Sequence, residues 1–163
     1  MQKLNLVLTG SLGNIGKPLT EQLVKDGHSV TVISSNPERS TEISALGATP
    51  AIGNLQDTPF LASTFRGADV VYTMVPPANY FDHDLDLLGH FKELGNYFAE
   101  AIRQAGVKRV LNMSSIGAHL AKGNGILEGT YHVEQRLNKL PQDVDVTHIR
   151  PTEIYYNLFS LSV

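Results

Sequence analysis

Cysteine and an excess of positive charge are both missing from this sequence, and each absence excludes a class of function. Without cysteine, the chain of 163 residues forms no disulfide, no thiolate metal site and no cysteine nucleophile. Lysine and arginine number 13 against 16 aspartates and glutamates, a formal net charge of −3. Because nucleic-acid-binding surfaces need a basic excess, we expect no nucleic-acid partner.

Long hydrophobic runs are also missing. A helix that spans a membrane needs roughly 20 consecutive apolar residues, and no stretch approaches that length. The apolar run near the N-terminus is too short for a secretion signal, and it leads into glycines rather than into a small-residue cleavage site. We therefore expect no membrane partner and a cytoplasmic location.

The sequence does contain a regular alternation of apolar runs and helical patterns, over a length typical of one domain. The predicted strands are 3–9, 28–34, 48–53, 69–75, 107–114 and 144–150. The predicted helices are 14–26, 37–46, 58–65, 90–104 and 127–140. This alternation predicts an α/β fold over 1–163: a doubly wound parallel sheet of six strands, the Rossmann fold, with helices on both faces.

A glycine-rich segment, G-x-x-G-x-x-G, separates the first predicted strand from the first predicted helix. Gly10 permits a tight turn, Gly13 lets the backbone approach a pyrophosphate, and Gly16 lets the helix pack closely on the sheet. The helix N-terminus offers N–H groups and a partial positive charge to phosphates. The segment predicts a dinucleotide site that also includes the intervening residues, Ser11, Leu12, Asn14 and Ile15. The alternative is an ordinary glycine-containing turn.

The end of the second predicted strand bears on which dinucleotide binds. NAD sites usually carry an acidic residue there, about 20 residues after the glycines, on the ribose hydroxyls. This chain has Ser34, Ser35 and Asn36, so no carboxylate would repel a 2′-phosphate, and Arg39 could pair with one. The pattern favours NADP, with NAD as the alternative, and a solvated Arg39 is the simpler interpretation of that side chain.

Several further segments, taken with the glycine loop, resemble the NmrA-like group of atypical short-chain dehydrogenases/reductases. They are S-N-P-E-R at 35–39, G-N-L-Q-D at 53–57, G-A-D-V-V at 67–71, A-G-V-K-R-V at 105–110, S-S-I-G-A at 114–118 and V-T-H-I-R-P-T at 146–152. The resemblance covers nearly the whole chain and implies an NAD(P)-binding oxidoreductase. It also implies positions around the cofactor: Asn54 and Leu55 near the adenine, Thr73, Met74 and Val75 beneath the cofactor, Ser114 and Ser115 near the nicotinamide, and Pro151 and Thr152 closing over it.

Two departures from the family pattern limit what the resemblance implies. No tyrosine is followed four residues later by a lysine, which is the usual proton relay of these enzymes. Aligned on Glu134, Ile126 falls at the tyrosine position and Thr130 at the lysine position. Weak catalytic candidates are Ser115, Tyr131 and His132. The family also usually carries a further C-terminal part that forms the substrate pocket, and we expect this chain to lack it.

Three functional hypotheses follow. The first is an NAD(P)H-dependent oxidoreductase that acts on a small molecule such as a quinone without the tyrosine–lysine relay. The second is a non-catalytic redox sensor that acts through a protein partner, and the third is a fragment that keeps the fold without useful affinity.

Two other patterns have simpler interpretations. The acidic and histidine-containing segment 82–86, with His90, matches no established zinc spacing, and we predict no metal site. An apolar stripe on the helix 90–104, including Phe91 and Phe98, is interpreted as core packing, with a homo-oligomer contact as the alternative.

Overall fold

The computed structural model describes residues 2–77, 85–152 and 154. A six-stranded, all-parallel sheet in the order β3-β2-β1-β4-β5-β6 forms its centre. The strands are β1 Asn5–Leu8, β2 Ser29–Ser34, β3 Thr49–Ile52, β4 Val70–Met74, β5 Arg109–Met113 and β6 Asp145–Ile149. The predicted fold class is confirmed, and each predicted strand contains the observed one.

Five α-helices connect these strands and divide between the two faces of the sheet. They are α1 Gly16–Lys25, α2 Arg39–Ala45, α3 Thr58–Phe65, α4 Leu87–Ala105 and α5 Glu128–Leu137, and a short 3₁₀ helix, Gly125–Leu127, precedes α5. On one face, α1 and α2 pack over apolar side chains of β1 and β2. On the other, α3, α4 and α5 pack side by side over the larger core cluster, which contains Phe65 and Phe98.

The apolar stripe of α4 lies in that larger cluster. Phe91, Leu94, Phe98 and Ile102 are all buried within the chain itself. Transferring such side chains out of water stabilises the fold by roughly 1.5–3 kcal/mol each. The interpretation as core packing is therefore correct, and this stripe is not available for a contact between copies of the chain.

Two helix starts differ from the predictions for local reasons. Helix α4 begins at Leu87 rather than at His90, because the side chain of Asp86 caps it by accepting a hydrogen bond from the Gly89 N–H at 2.9 Å. Helix α2 begins at Arg39 rather than at Pro37, because the side chain of Asn36 first forms a turn by accepting from the Glu38 N–H.

The structure also bears on membrane insertion and on metal binding. Among the helices that the structure describes, none is long and apolar enough to cross a membrane. The described residues also contain no group of three or more histidines, aspartates or glutamates that could hold a metal ion. Asp82, His83 and Asp84 of the segment considered for metal binding lie outside the described residues.

Candidate functional site

A cavity of about 780 Å³ opens at the carboxyl edge of the sheet. The chain runs outward from β1 to β2 and β3 and then crosses back to β4 on the other side of β1. At such a reversal the connections after neighbouring strands diverge and leave a crevice, which is where open α/β sheets bind ligands. The cavity is lined by Gly10, Gly13, Asn14, Ile15, Met74, Val75, Pro77, Phe91, Asn112, Met113, Ser114, Ser115, Ile116, Ile126, Leu127, Thr130, Val133, Pro151, Thr152 and Ile154.

The glycine loop forms one end of this cavity, and its glycines have different roles. A Cβ at Gly16 would lie 1.9 Å from the backbone oxygen of Ser11, so only glycine fits there. That close contact is with the loop's own backbone, not with the sheet as predicted. A Cβ at Gly10 would lie 2.7 Å from the Cε atom of Met74, whereas one at Gly13 would meet no atom of the described residues within 4 Å. The backbone at Gly13 is therefore open to an approaching ligand.

Two features of the loop fit an anionic group. Ser11 has a positive φ of 50°, and its Oγ is buried without a hydrogen-bond partner among the described residues. A buried hydroxyl without a partner is unfavourable, so a ligand oxygen here would satisfy it. Helix α1 begins beside it with no side-chain cap at Ile15, which leaves the positive end of the helix directed at the same place. The residues present thus fit the pyrophosphate of a dinucleotide.

The end of β2 lies apart from the residues that line the cavity. Ser34 is buried, and its Oγ is occupied by the backbone of Asn36, accepting from the N–H at 3.2 Å. Ser35 and Asn36 are exposed, and Arg39 is partly exposed at the start of α2. Of the polar groups predicted here, Ser35, Asn36 and Arg39 therefore present themselves to solvent, while Ser34 shapes the turn.

Besides Ser11, whose hydroxyl is buried in the loop, four other predicted cofactor residues lie outside the cavity lining. Leu12 packs into the smaller core cluster beneath the loop, and Leu55 packs against the larger one. Asn54 is exposed, and its Oδ1 accepts from the Gln56 N–H at 2.9 Å. Thr73 is fully buried and donates to Asn112 Oδ1 at 2.9 Å. Its neighbours Met74 and Val75 do line the cavity.

Behind Ser114, next to the opposite end of the cavity but outside its lining, lies a buried carboxylate that the sequence interpretation used only as an alignment marker. Glu134 is 1% exposed; it accepts from Ser114 Oγ at 2.5 Å and from the Nε and Nη2 of Arg150 at 2.9 and 2.5 Å. Burial alone would raise the pKa of Glu134, but the hydrogen bonds from Arg150 and Ser114 outweigh it and hold the pKa below its usual value. The group is ionised at neutral pH.

A signal for this carboxylate was present in the sequence. The buried positions of α5 are Gly129, Val133, Glu134 and Leu137, so the acid falls on the apolar stripe of the helix. Because a buried charge requires partners, an acid on such a stripe predicts a cation or several hydrogen-bond donors across the interface.

A second polar chain lies beside this carboxylate. Asn112 Nδ2 lies 3.1 Å from His148 Nδ1, and His148 Nε2 lies 3.0 Å from Asn138 Oδ1. Since Thr73 donates to Asn112 Oδ1, the amide of Asn112 donates to His148, which fixes the neutral Nε2–H tautomer of the imidazole. Burial lowers the pKa of His148, Glu134 partly opposes this, and Arg150 adds to it.

The three weak catalytic candidates lie in different environments. Ser115 lines the cavity, but Tyr131 and His132 do not. His132 Nε2 lies 3.6 Å from a carboxylate oxygen of Glu128, and the Tyr131 ring contacts the imidazole edge-on. Ile126 and Thr130, aligned with the family's tyrosine and lysine, both line the cavity. Among the described residues that line it, none is ionisable.

Comparison with known proteins decides the family. Residues 10–157 match the model of the family described as NAD(P)H-binding. The chain belongs to this family. One structural neighbour of this family member is a triphenylmethane reductase from Citrobacter sp. in complex with NADP(H), with a TM-score of 0.76 and 18% identity. Another is an NADPH-dependent quinone oxidoreductase from Escherichia coli in complex with NADPH, with a TM-score of 0.75 and 19% identity. The family match confirms the NAD(P)-binding family that the resemblance implied, and these neighbours share its fold.

The same relatives are longer proteins. The alignment covers 95% of this chain but 51% of each of the two reductases. A curated relative from Stigmatella aurantiaca, a 4-hydroxy-2-methyl-3-oxo-4-farnesyl-3,4-dihydroquinoline-1-oxide ketoreductase, is 29% identical over 126 residues, 74% of this chain and 36% of that protein. The chain thus spans about half or less of the length of these relatives.

Proposed function

We propose that this family member is an NADPH-dependent oxidoreductase that reduces a small, apolar acceptor of the quinone type. The observation that carries the proposal is a single cavity with two unlike ends. One end has an open Gly13 and an uncapped helix, and beside it the buried Ser11 hydroxyl has no hydrogen-bond partner in the part of the chain that the structure describes. The other is lined by apolar side chains, including Phe91, Ile116 and Ile126.

The glycine loop would hold the pyrophosphate, and Ser114 and Ser115 would lie at the nicotinamide end. When bound, the reduced cofactor supplies a hydride. The buried Val133 and the partly buried Leu127 give that end an apolar lining, which disfavours water, protects a hydride donor and favours a flat apolar acceptor.

The exposed groups after β2 support NADPH over NADH. No carboxylate stands at positions 34–36, and Ser35, Asn36 and Arg39 are exposed or partly exposed where the adenosine ribose would lie. An arginine and hydroxyl or amide donors suit a 2′-phosphate, whereas they leave an unphosphorylated ribose with fewer contacts.

Among the described residues, the cavity lining has no ionisable side chain, which supports an acceptor that needs no proton from the protein during hydride transfer. A quinone meets this condition because the negative charge that it gains is delocalised and solvent can protonate it afterwards. The same observation favours a second candidate, a sensor that binds the two redox forms of the cofactor unequally and transfers no hydride.

Titration with NADPH and NADH, followed by cofactor fluorescence, is the test. The chain has no tryptophan, so cofactor emission is the suitable signal. Saturable binding that is tighter for NADPH, with steady cofactor oxidation on adding benzoquinones or naphthoquinones, is the expected result. Binding without oxidation by any quinone or carbonyl compound would favour the sensor, and absence of binding would contradict both candidates.

A further inference from the structure

The buried carboxylate of Glu134 connects three elements at the nicotinamide end of the cavity. Glu134 lies on α5, Ser114 follows β5 directly, and Arg150 follows β6 directly. The guanidinium of Arg150 forms a two-pronged ion pair with the carboxylate, and the Ser114 hydroxyl donates to the carboxylate oxygen that also accepts from the Arg150 Nε.

These side-chain bonds are not required to hold the strand ends together. The backbone N–H of Ser114 donates to the Ile149 carbonyl at 2.8 Å, and that of Ile116 donates to the Pro151 carbonyl at 2.9 Å. The backbone ladder therefore already extends past both strands. What the carboxylate adds is a fixed direction for the hydroxyl of Ser114.

That direction has a chemical consequence. An ionised carboxylate only accepts hydrogen bonds, and a serine hydroxyl has one proton. With this proton engaged by Glu134, the Ser114 Oγ can offer only its lone pairs to the cavity that Ser114 lines. The ion pair with Arg150, whose side chain is 42% exposed, keeps the carboxylate in its acceptor form.

We propose that Glu134 is a positioning residue that makes Ser114 an acceptor for an N–H or O–H group at the nicotinamide end of the ligand. The carboxamide and the ribose hydroxyls of the nicotinamide half carry such donors. The proposal rests on the proposed function for the identity of the ligand. It also means that Ser114 does not deliver a proton to the acceptor.

The direction of the Ser114 proton can be measured without any ligand. A buried hydroxyl held by a carboxylate exchanges slowly with water, so in a mixture of H₂O and D₂O its Cβ gives two carbon-13 NMR signals, from the protonated and deuterated forms. Serine-labelled protein should show this pair for Ser114, assigned by its loss in Ser114→Ala. Glu134→Met should merge the pair, whereas the control Arg150→Lys, which keeps the charge and the carboxylate, should retain it.

A double-mutant cycle tests the effect on binding. If Glu134 acts through Ser114, then Glu134→Met and Ser114→Ala each weaken NADPH binding about five- to tenfold, the effect of one lost hydrogen bond, and the double variant is no weaker than either alone. A merely structural role would leave the two losses additive. The melting temperature of each variant is measured alongside.

The outcomes separate the two proposals. A single averaged Cβ signal for Ser114 in the unsubstituted protein, which requires no variant to fold, would overturn the positioning role. Additive losses in the cycle would overturn it as well. A split signal in a protein that binds neither NADPH nor NADH would support the direction of the Ser114 proton but overturn the proposed function and the ligand contact that rests on it.

Discussion

The two ends of the cavity are built in different ways. At the loop end, the features that suit a phosphate come from backbone atoms, from three glycines and from one serine within seven consecutive residues. At the other end, around Ser114, the polar groups are side chains on β4, β5 and α5 and on the residues after β5 and β6, and hydrogen bonds connect positions as many as 39 residues apart in sequence. Substitution of a glycine should therefore disturb the loop end most, whereas a change in the protonation of a side chain should disturb the network at the other end most.

The largest expected effect lies in the loop, at Gly16. A Cβ at this position would lie 1.9 Å from the Ser11 carbonyl oxygen, and because the other near atoms are also backbone atoms, of Ser11 and Gly10, they have little room to move. We expect Gly16→Ala to lower the free energy of unfolding by about 3 kcal/mol or more and to abolish NADPH binding. Urea unfolding measures the first quantity. A stable Gly16→Ala protein would contradict the view that the loop has one allowed backbone path.

Gly13 provides the matched comparison, because within the described part of the chain a Cβ there has no neighbour within 4 Å. Gly13→Asp places a carboxylate where the pyrophosphate would lie. We expect NADPH binding to weaken by at least about tenfold, roughly 1.4 kcal/mol, with a change in unfolding free energy of no more than about 0.5 kcal/mol. Fluorescence titration and urea unfolding on the same sample check both values. Unchanged affinity would place the phosphates elsewhere.

Arg39 tests the choice between the two cofactors at the outer end of the site. Its guanidinium is partly exposed, so the loss of a contact with a 2′-phosphate is partly compensated by water. Arg39→Gln should weaken NADPH binding about fivefold, near 1 kcal/mol, and leave NADH binding unchanged. The loss should shrink as salt is added. Equal losses for the two cofactors would mean that Arg39 does not contact the 2′-phosphate.

His148 tests the pH sensitivity of the nicotinamide end, and its effect is the smallest of the four. Burial lowers its pKa in the folded protein below the usual value near 6.5, so the unfolded chain binds the proton first. Its neutral form therefore stabilises the fold fully above about pH 6.5, and this contribution falls as the pH drops toward the folded pKa. His148→Gln, which cannot titrate, should flatten the dependence of unfolding free energy on pH in that window. An identical slope in both proteins would contradict the lowered pKa of His148.

Features that depend on neighbouring residues could be predicted from the sequence, whereas contacts between distant side chains could not. The alternation of strands and helices, the helices on both faces of the sheet and the glycine loop depend on patterns within about 20 residues, and the sequence predicts all three. The start of α4 was missed because Asp86 caps it by a side-chain bond to Gly89, which hydrophobic periodicity does not register. The inward position of Thr73 was missed because its partner, Asn112, lies on the neighbouring strand.

The sequence by itself determined that this chain forms alternating strands and helices and places a G-x-x-G-x-x-G loop at the first strand-to-helix turn. Those properties depend on local backbone freedom and on the burial of periodic apolar side chains. Only the tertiary structure decided that Glu134 faces Ser114 and Arg150, and that Ile126 and Thr130 rather than Tyr131 and His132 line the cavity. Such contacts depend on how α5 packs across the ends of β5 and β6. No pattern along the chain fixes that geometry, because the contacting groups belong to separate elements.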